Sequence, residues 1–347
     1  MRSSSECDKL FNMLLKFFIL LILTFILFFI LILYGPVYIE PLRILSDFIW
    51  RNSLTDSEKI IIYSRRIPVA LGALASGCLL GLSGFLYQLL LRNPMGDPYV
   101  MGVASISYLS LVSLAYISIA IGSFFIYMSL LAPIVVLISS LIYTVILSII
   151  SYRLTVLQLL LVGISLGFAS SGISLLLLSR LPPDVSGYLY LALMGSFDGV
   201  DPNGSRILMV STAISLILSL MLSLKHLDPL ILGEEYAKSL GINIGFIRAF
   251  ISLLAGSSAA ITVAYVGVIG FIGFASPHIA RIIFRSGRSL ILVPASCLVG
   301  GLLALLTSLG IRAVFQGGSV PVTAVTSIFG APLLIYMVAR LRGEYSW

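Results

Sequence analysis

Residues 157–179 read LQLLLVGISLGFASSGISLLLLS, 23 positions without one charged side chain. A helix on the surface of a water-soluble domain needs a polar face, and this stretch has none. Its length is what a bilayer demands, since roughly 20 apolar residues cross the hydrocarbon core as a helix. The pattern recurs. Such runs predict ten helices at about 11–34, 68–91, 99–120, 124–150, 157–179, 205–224, 247–265, 268–284, 290–311 and 321–339. In lipid only helices and closed barrels satisfy every backbone polar group. The runs lack strand alternation, so the expectation is an all-α polytopic membrane protein. Composition agrees: 59% of residues are hydrophobic and 10% charged, where a soluble domain carries about 25% charged. The run at 14–33 is longer than a signal-peptide core, and no small-residue cleavage site comes before Tyr34-Gly35-Pro36. It reads as a retained first helix. Cys7, Cys78 and Cys297 are too scattered for a disulfide framework or a metal site. Cys78 and Cys297 read as small packing residues.

The chain reads as one transmembrane domain, 1–347, with no soluble appendage. Its longer polar connections are 35–67, 180–204 and 225–246. Orientation follows from Lys and Arg. With a cytoplasmic N-terminus, 13 of the 21 basic residues fall inside and 8 outside, while the 14 acidic ones split evenly. Both termini and segment 225–246 are then cytoplasmic, and 35–67 and 180–204 extracytoplasmic. The net charge of +7 is thus largely a topology signal, and nucleic-acid binding is a poor reading of it.

Within 225–246, the stretch LGEEYAKSLGI interrupts the apolar pattern. Asp228-Pro229 is a good helix start, because Asp can cap and Pro is tolerated at the first helical position. Gly233 interrupts. Residues 234–240 form a second short helix with acidic residues at its positive end, and Gly241 closes it in a left-handed cap. About 10 Å of helix cannot span a membrane, and it is too short to be stable alone in water. Glu234 and Lys238 form an i,i+4 pair worth only about 0.2–0.5 kcal/mol. The helix must dock, either on its own bundle or on a partner.

Residues 235–241, EYAKSLG, resemble the E-A-A-x-x-x-G coupling motif of ABC importer permeases. Five further stretches resemble, in order, segments of the FecCD/BtuC-like permeases that import iron-siderophores, haem and vitamin B12. They are RRIPVALGALASGCLLGLSG, LLRNPMGDPYVMGVAS, MGSFDGVD, GVIGFIGFASPHIARII and SVPVTAVTSIFGAPLLIYMV. The resemblance covers about 60–342. It implies docking of a separate ATPase subunit through Asp228, Pro229, Gly233, Glu234, Glu235, Ala237, Leu240 and Gly241. It also implies a second permease chain, most simply an identical one, and an extracytoplasmic substrate-binding protein. The cargo would be a ferric siderophore, vitamin B12, haem or another metal chelate, crossing the cytoplasmic membrane by ATP-driven alternating access. The chain itself has no P-loop. ATP and magnesium would belong to the partner ATPase, and this chain would bind no cofactor and act as a transport subunit, not an enzyme.

The resemblance assigns further residues. Arg66 and Arg312 match arginines that meet acidic residues of the binding protein at the outer mouth. Val69 stands where the family has a second arginine, Arg65 is an extra neighbour, and Ser319 stands where an acid is common. The alternative is an arginine that snorkels to headgroups. The turn before the fifth helix forms the family's inner gate, which points to Thr155, Val156 and Leu157. Gly163, Gly167 and Ser171 would line the pathway, or else serve close packing within the chain, as would Gly77 and Gly81. Asn93, Pro94 and Pro98 read as a turn. Pro277, His278 and Arg281 read as a proline bend, a hydrogen-bonded histidine and a headgroup arginine. Gly330 and Pro332 read as structural. A secondary transporter would carry functional acids within the membrane, and no acidic residue falls in the middle of an apolar run. An intramembrane enzyme would need a nucleophile–base or metal constellation, and the sequence offers none.

Overall fold

A computed structural model describes residues 2–50, 54–122, 124–315 and 320–340. Ser319, and Arg51 and Arg342 of the charge count, lie outside them. In chain order the helices are α1 (Arg2–Leu33), α2 (Pro41–Trp50), α3 (Asp56–Ile61), α4 (Ile67–Leu91), α5 (Val103–Ala120), α6 (Phe124–Ser151), α7 (Val156–Leu178), α8 (Pro183–Leu193), α9 (Pro202–Lys225), α10 (Leu227–Leu232), α11 (Glu234–Ser239), α12 (Ile244–Val266), α13 (Ile272–Phe284), α14 (Ser289–Phe315) and α15 (Val322–Arg340). A single π-type turn, Ile62–Arg66, joins α3 to α4. No strand occurs among the described residues.

All ten expected helices are present as α1, α4, α5, α6, α7, α9, α12, α13, α14 and α15. Among the described residues eight spans are long and apolar enough to cross a membrane, and α13 and the apolar part of α15 are shorter. We call the end carrying Tyr34, Arg66 and Arg312 outer, following the Lys and Arg bias. The polar connections add α2 and α3 after α1, and α8 after α7, which apolar periodicity did not reveal.

The core is built around α4. A helix that is apolar all round has to be buried on all sides, and 22 of the 25 residues of α4 are buried. Glycines let its backbone approach its neighbours. A Cβ at Gly77 or Gly81 would collide with the carbonyl of Gly300 or Ser296 on α14. The Gly77-x-x-x-Gly81 spacing therefore serves packing within the chain. A Cβ at Gly84 would strike the carbonyl of Gly273 on α13. Pro277 has no N–H to bond that carbonyl four residues back, so the oxygen is free to lie against Gly84.

One expected helix is shorter than the apolar run suggests. The run 268–284 gives a helix only from Ile272. Its 13 residues span about 20 Å, well under the hydrocarbon thickness of about 30 Å. The preceding segment is unwound between Gly267, at φ 83°, and Phe271, at φ 68°. Irregular backbone at membrane depth survives only inside protein. Here the Ile269 N–H donates to Tyr99 Oη (3.2 Å) and the Gly270 N–H to Thr323 Oγ1 (3.4 Å), while that hydroxyl donates to the Val268 carbonyl (2.5 Å).

Candidate functional site

At the inner end, α10 and α11 form the short charged element. Gly233, at φ 142°, and Gly241, at φ 79°, have no atoms crowding an added Cβ, so backbone conformation and not space requires glycine at both. Gly241 sits in a Schellman cap: the Ile242 N–H donates to the Ala237 carbonyl (3.1 Å) and the Gly241 N–H to that of Lys238 (2.9 Å). Ala237 is fully buried. Leu227 and Leu230 hold α10 against the bundle.

The anchors differ from the sequence expectation at two points. Asp228 does not cap α10. Its Oδ1 accepts the N–H of Ser289 (2.7 Å), the first residue of α14, and Pro229 follows it inside the first turn. Glu234 is not paired mainly with Lys238. Its carboxylate is bonded to the Arg248 guanidinium of α12 and lies 3.7 Å from Arg92 at the end of α4. Burial raises the Glu234 carboxyl, but the Arg248 hydrogen bond and charge, with Arg92 and Lys238 nearby, outweigh it and hold its pKa below the ordinary carboxylate value. Facing outward from α10, α11 and its cap are Leu232, Tyr236 and Leu240, at 72, 49 and 55% exposure. Glu235 is also exposed. The element is fastened from below and presents an apolar, acid-flanked outer surface.

At the outer end the arginines do not behave as free docking cations. Arg66 is 4% exposed and Arg312 9%. The Arg66 guanidinium donates to the carbonyls of Ile32 and Leu33, 3.0 Å each, and to that of Val37. Arg312 donates to the carbonyls of Leu31 (3.0 Å) and Tyr34 (3.2 Å) and lies 3.7 Å from Asp198. A helix leaves its last four carbonyls without intrahelical partners, at the negative end of its dipole. Two cations, Arg66 from the π-type turn before α4 and Arg312 from α14, satisfy the carbonyls of Leu31, Ile32 and Leu33, and the Tyr34 N–H takes that of Ile30 (2.8 Å). Gly35 leaves the room, since a Cβ there would meet the Arg66 guanidinium at 2.8 Å. Arg65 remains exposed.

On α7, Thr155 is an N-cap. Its hydroxyl accepts from the Gln158 N–H (3.4 Å), and the Gln158 side chain accepts from the Thr155 N–H (2.9 Å). Leu157 is 65% exposed, and Val156 is half-buried. Gly163 and Gly167 do not face an open pathway. They pack on Met101 and Gly102, and Ser171 donates to Ser105 Oγ of α5 (3.1 Å). Small residues are needed there because α5 begins beside α7 at close range.

The Asn93–Pro98 turn tucks beneath α13. Asn93 Oδ1 accepts the Met95 N–H (2.9 Å), His278 Nε2 bonds the Pro94 carbonyl (2.7 Å), and Pro98 is buried against Gly273. Asp97 accepts the N–H groups of Tyr99 and Phe274. Arg281 does not reach for headgroups; it donates to Gln88 Oε1 (2.8 Å), whose amide donates to the Phe274 carbonyl (3.2 Å). Gly330 receives the ring of Phe271, and Pro332 is exposed.

Sequence reasoning passed over Arg92 and Arg248. Nothing in their local sequence sets them apart from other inner arginines, and their partners lie far along the chain.

Comparison with known proteins places this arrangement. A sequence profile of the FecCD transport family matches residues 22–340. The vitamin B12 import system permease protein BtuC of Vibrio cholerae is 32% identical over 289 residues, covering 82% of this chain and 84% of its own. A Bacillus subtilis protein named "Probable siderophore transport system permease protein YfhA" is 29% identical over 313 residues, covering 89% of this chain and 90% of its own. Among solved structures, an inward-facing transporter described as of the metal-chelate ABC type superposes with a TM-score of 0.79 at 26% identity, over 93% of this chain and 98% of that one. The chain belongs to the FecCD transport family, as an ABC importer permease.

Proposed function

We propose that this chain is the membrane-spanning half of a binding-protein-dependent importer of a bulky metal chelate, a ferric siderophore first and vitamin B12 or haem as the alternatives. It sits in the cytoplasmic membrane with both termini inside. It works beside a second permease chain, most simply a copy of itself. Two separate ATPase subunits, which hold ATP and magnesium, dock on α10–α11. Their approach switches the pathway between outward- and inward-open states, a two-state element biased from a distance.

The observation that carries this reading is the inner element itself. It is anchored through Ala237, Asp228 and Glu234, and it exposes Leu232, Tyr236 and Leu240 together with Glu235. A pair of six-residue helices that, with the residue closing the second, turns three apolar side chains to water is built to be covered. The relatives named for vitamin B12 and siderophore transport support the substrate class.

The test is uptake in cells that supply an ATPase and a binding protein, with a radioiron-loaded siderophore and radiolabelled cobalamin offered in parallel. Glu235→Arg is expected to abolish ATPase association and uptake while the chain still inserts. Uptake that survives this change, or transport by the chain alone in liposomes under an ion gradient, would overturn the reading.

A further inference from the structure

Arg248 stands in the second turn of α12 with its side chain only 13% exposed. One face of its guanidinium meets Glu234 of α11. The other nitrogen, Nη1, donates to the backbone carbonyl of Leu154 (2.7 Å). Leu154 lies in the turn between α6 and α7, directly before Thr155, the N-cap of α7. The same turn rests on α12 a second time, because a Cβ at Gly245 would meet the Tyr152 carbonyl at 3.0 Å.

Arginine suits this place. Its planar fork can hold two acceptors at once, whereas a lysine ammonium is a single compact charge. Bonds to a charged donor are also roughly twice as strong as neutral ones. Both acceptors are at helix starts: a carboxylate at the first residue of α11, and a carbonyl in the last residue before the α7 cap.

We infer that Arg248 is a positioning residue that ties the coupling element α10–α11 to the start of α7, so that displacement of α11 is carried to the Thr155–Leu157 segment. The link rests on the functional reading above, because it has a purpose only if α10–α11 is moved by a partner. A shift of Glu234 must either drag Arg248, and with it the Leu154 carbonyl, or break a charge-assisted bond that little water reaches. Leu157, one turn or less beyond the linked carbonyl, is the exposed apolar residue that such a displacement would swing.

The experiment uses the full chain reconstituted in liposomes with its ATPase and binding protein. Two quantities are read: chelate transported per ATP hydrolysed, and thiol labelling of a Leu157→Cys reporter with and without nucleotide, in a chain whose Cys7, Cys78 and Cys297 are replaced by alanine. Arg248→Met is expected to lower transport per ATP about tenfold, within the usual range of a coupling free energy, and to make labelling of the reporter insensitive to nucleotide. Arg248→Lys is expected to restore part of both, since an ammonium can still donate to one acceptor; this guards against a variant that merely fails to fold. The exchanged pair Glu234→Arg with Arg248→Glu restores the ion pair, but a carboxylate cannot donate to the Leu154 carbonyl, so it is expected to stay uncoupled. Wild-type coupling in Arg248→Met, or full rescue by the exchanged pair, would overturn the link. A wild-type chain that neither engages the ATPase nor imports would instead overturn the functional reading beneath it.

Discussion

Replacing Arg66 with methionine separates two accounts of the outer arginines. If Arg66 meets a binding protein, the variant folds normally and loses capture. If it satisfies the end of α1, the variant loses stability first. The structure allows a magnitude. Arg66 donates to three carbonyls, those of Ile32, Leu33 and Val37. Val37 is 52% exposed, so water can replace the bond there. Ile32 is 2% exposed, and its carbonyl with that of Leu33 would be left short. Hydrogen bonds to charged groups contribute about 1.5–3 kcal/mol each, so two of them bound the loss at about 3–6 kcal/mol. Removing the guanidinium also removes the cost of burying it, and it relieves repulsion from Arg312 beside it. Burying an ion costs several kcal/mol, which brings the net destabilisation to about 1–3 kcal/mol. The assay is the melting of the detergent-purified chain followed by loss of its monodisperse gel-filtration peak. A lowered midpoint with unchanged capture of the binding protein, once the chain is folded, is expected for Arg66→Met. An unchanged midpoint with lost capture would refute the capping account and return Arg66 to the docking surface.

Arg65→Glu is the complementary change: Arg65 is exposed, so binding-protein capture should weaken at low salt and converge with wild type at high salt, as a pull-down at two ionic strengths would show. Gly84→Val should prevent α13 from seating on α4, because even one Cβ at this position collides with the Gly273 carbonyl; overpacking of this kind costs about 1–3 kcal/mol or more and should appear as a reduced folded yield after membrane insertion. The Glu234 pKa lies below its ordinary value through Arg248 and Arg92. A depressed carboxylate pKa adds stability that is present above the unfolded value of about 4.3 and is lost as pH falls through the folded one. Protease protection of α10–α11 should therefore hold from neutrality down to about pH 4.3 and fail only below it, while Glu234→Gln should be weaker throughout and flat across that range.

The membrane class and the ten helices follow directly from local sequence. Apolar length is a one-dimensional quantity, and lipid leaves the backbone few options. The break at Gly233 and the left-handed close at Gly241 are legible for a similar reason: each is a conformational demand met by one residue type. Partner choice is another matter. Glu234 has a lysine four residues away, which the helix period proposes as its mate, yet Arg248 takes the carboxylate. Arg66 carries the same charge and nearly the same address as Arg65, yet one is buried under α1 and the other exposed. The α13 run is apolar from 268 onward, yet its first turn is unwound because Tyr99 and Thr323 are there to receive the backbone.

The sequence by itself thus determined the solvent, the succession of apolar helices and the sites where the chain must turn, because these depend on hydrophobic length and on residues with special backbone freedom. The tertiary structure alone decided which charges are spent inside the protein and which remain for partners. Those outcomes depend on backbone carbonyls brought within 3 Å of an arginine from distant parts of the chain, 281 positions apart for Leu31 and Arg312 and 94 for Leu154 and Arg248. A carbonyl is common to every residue, so no choice of side chain announces it as an acceptor until the fold leaves it without a partner.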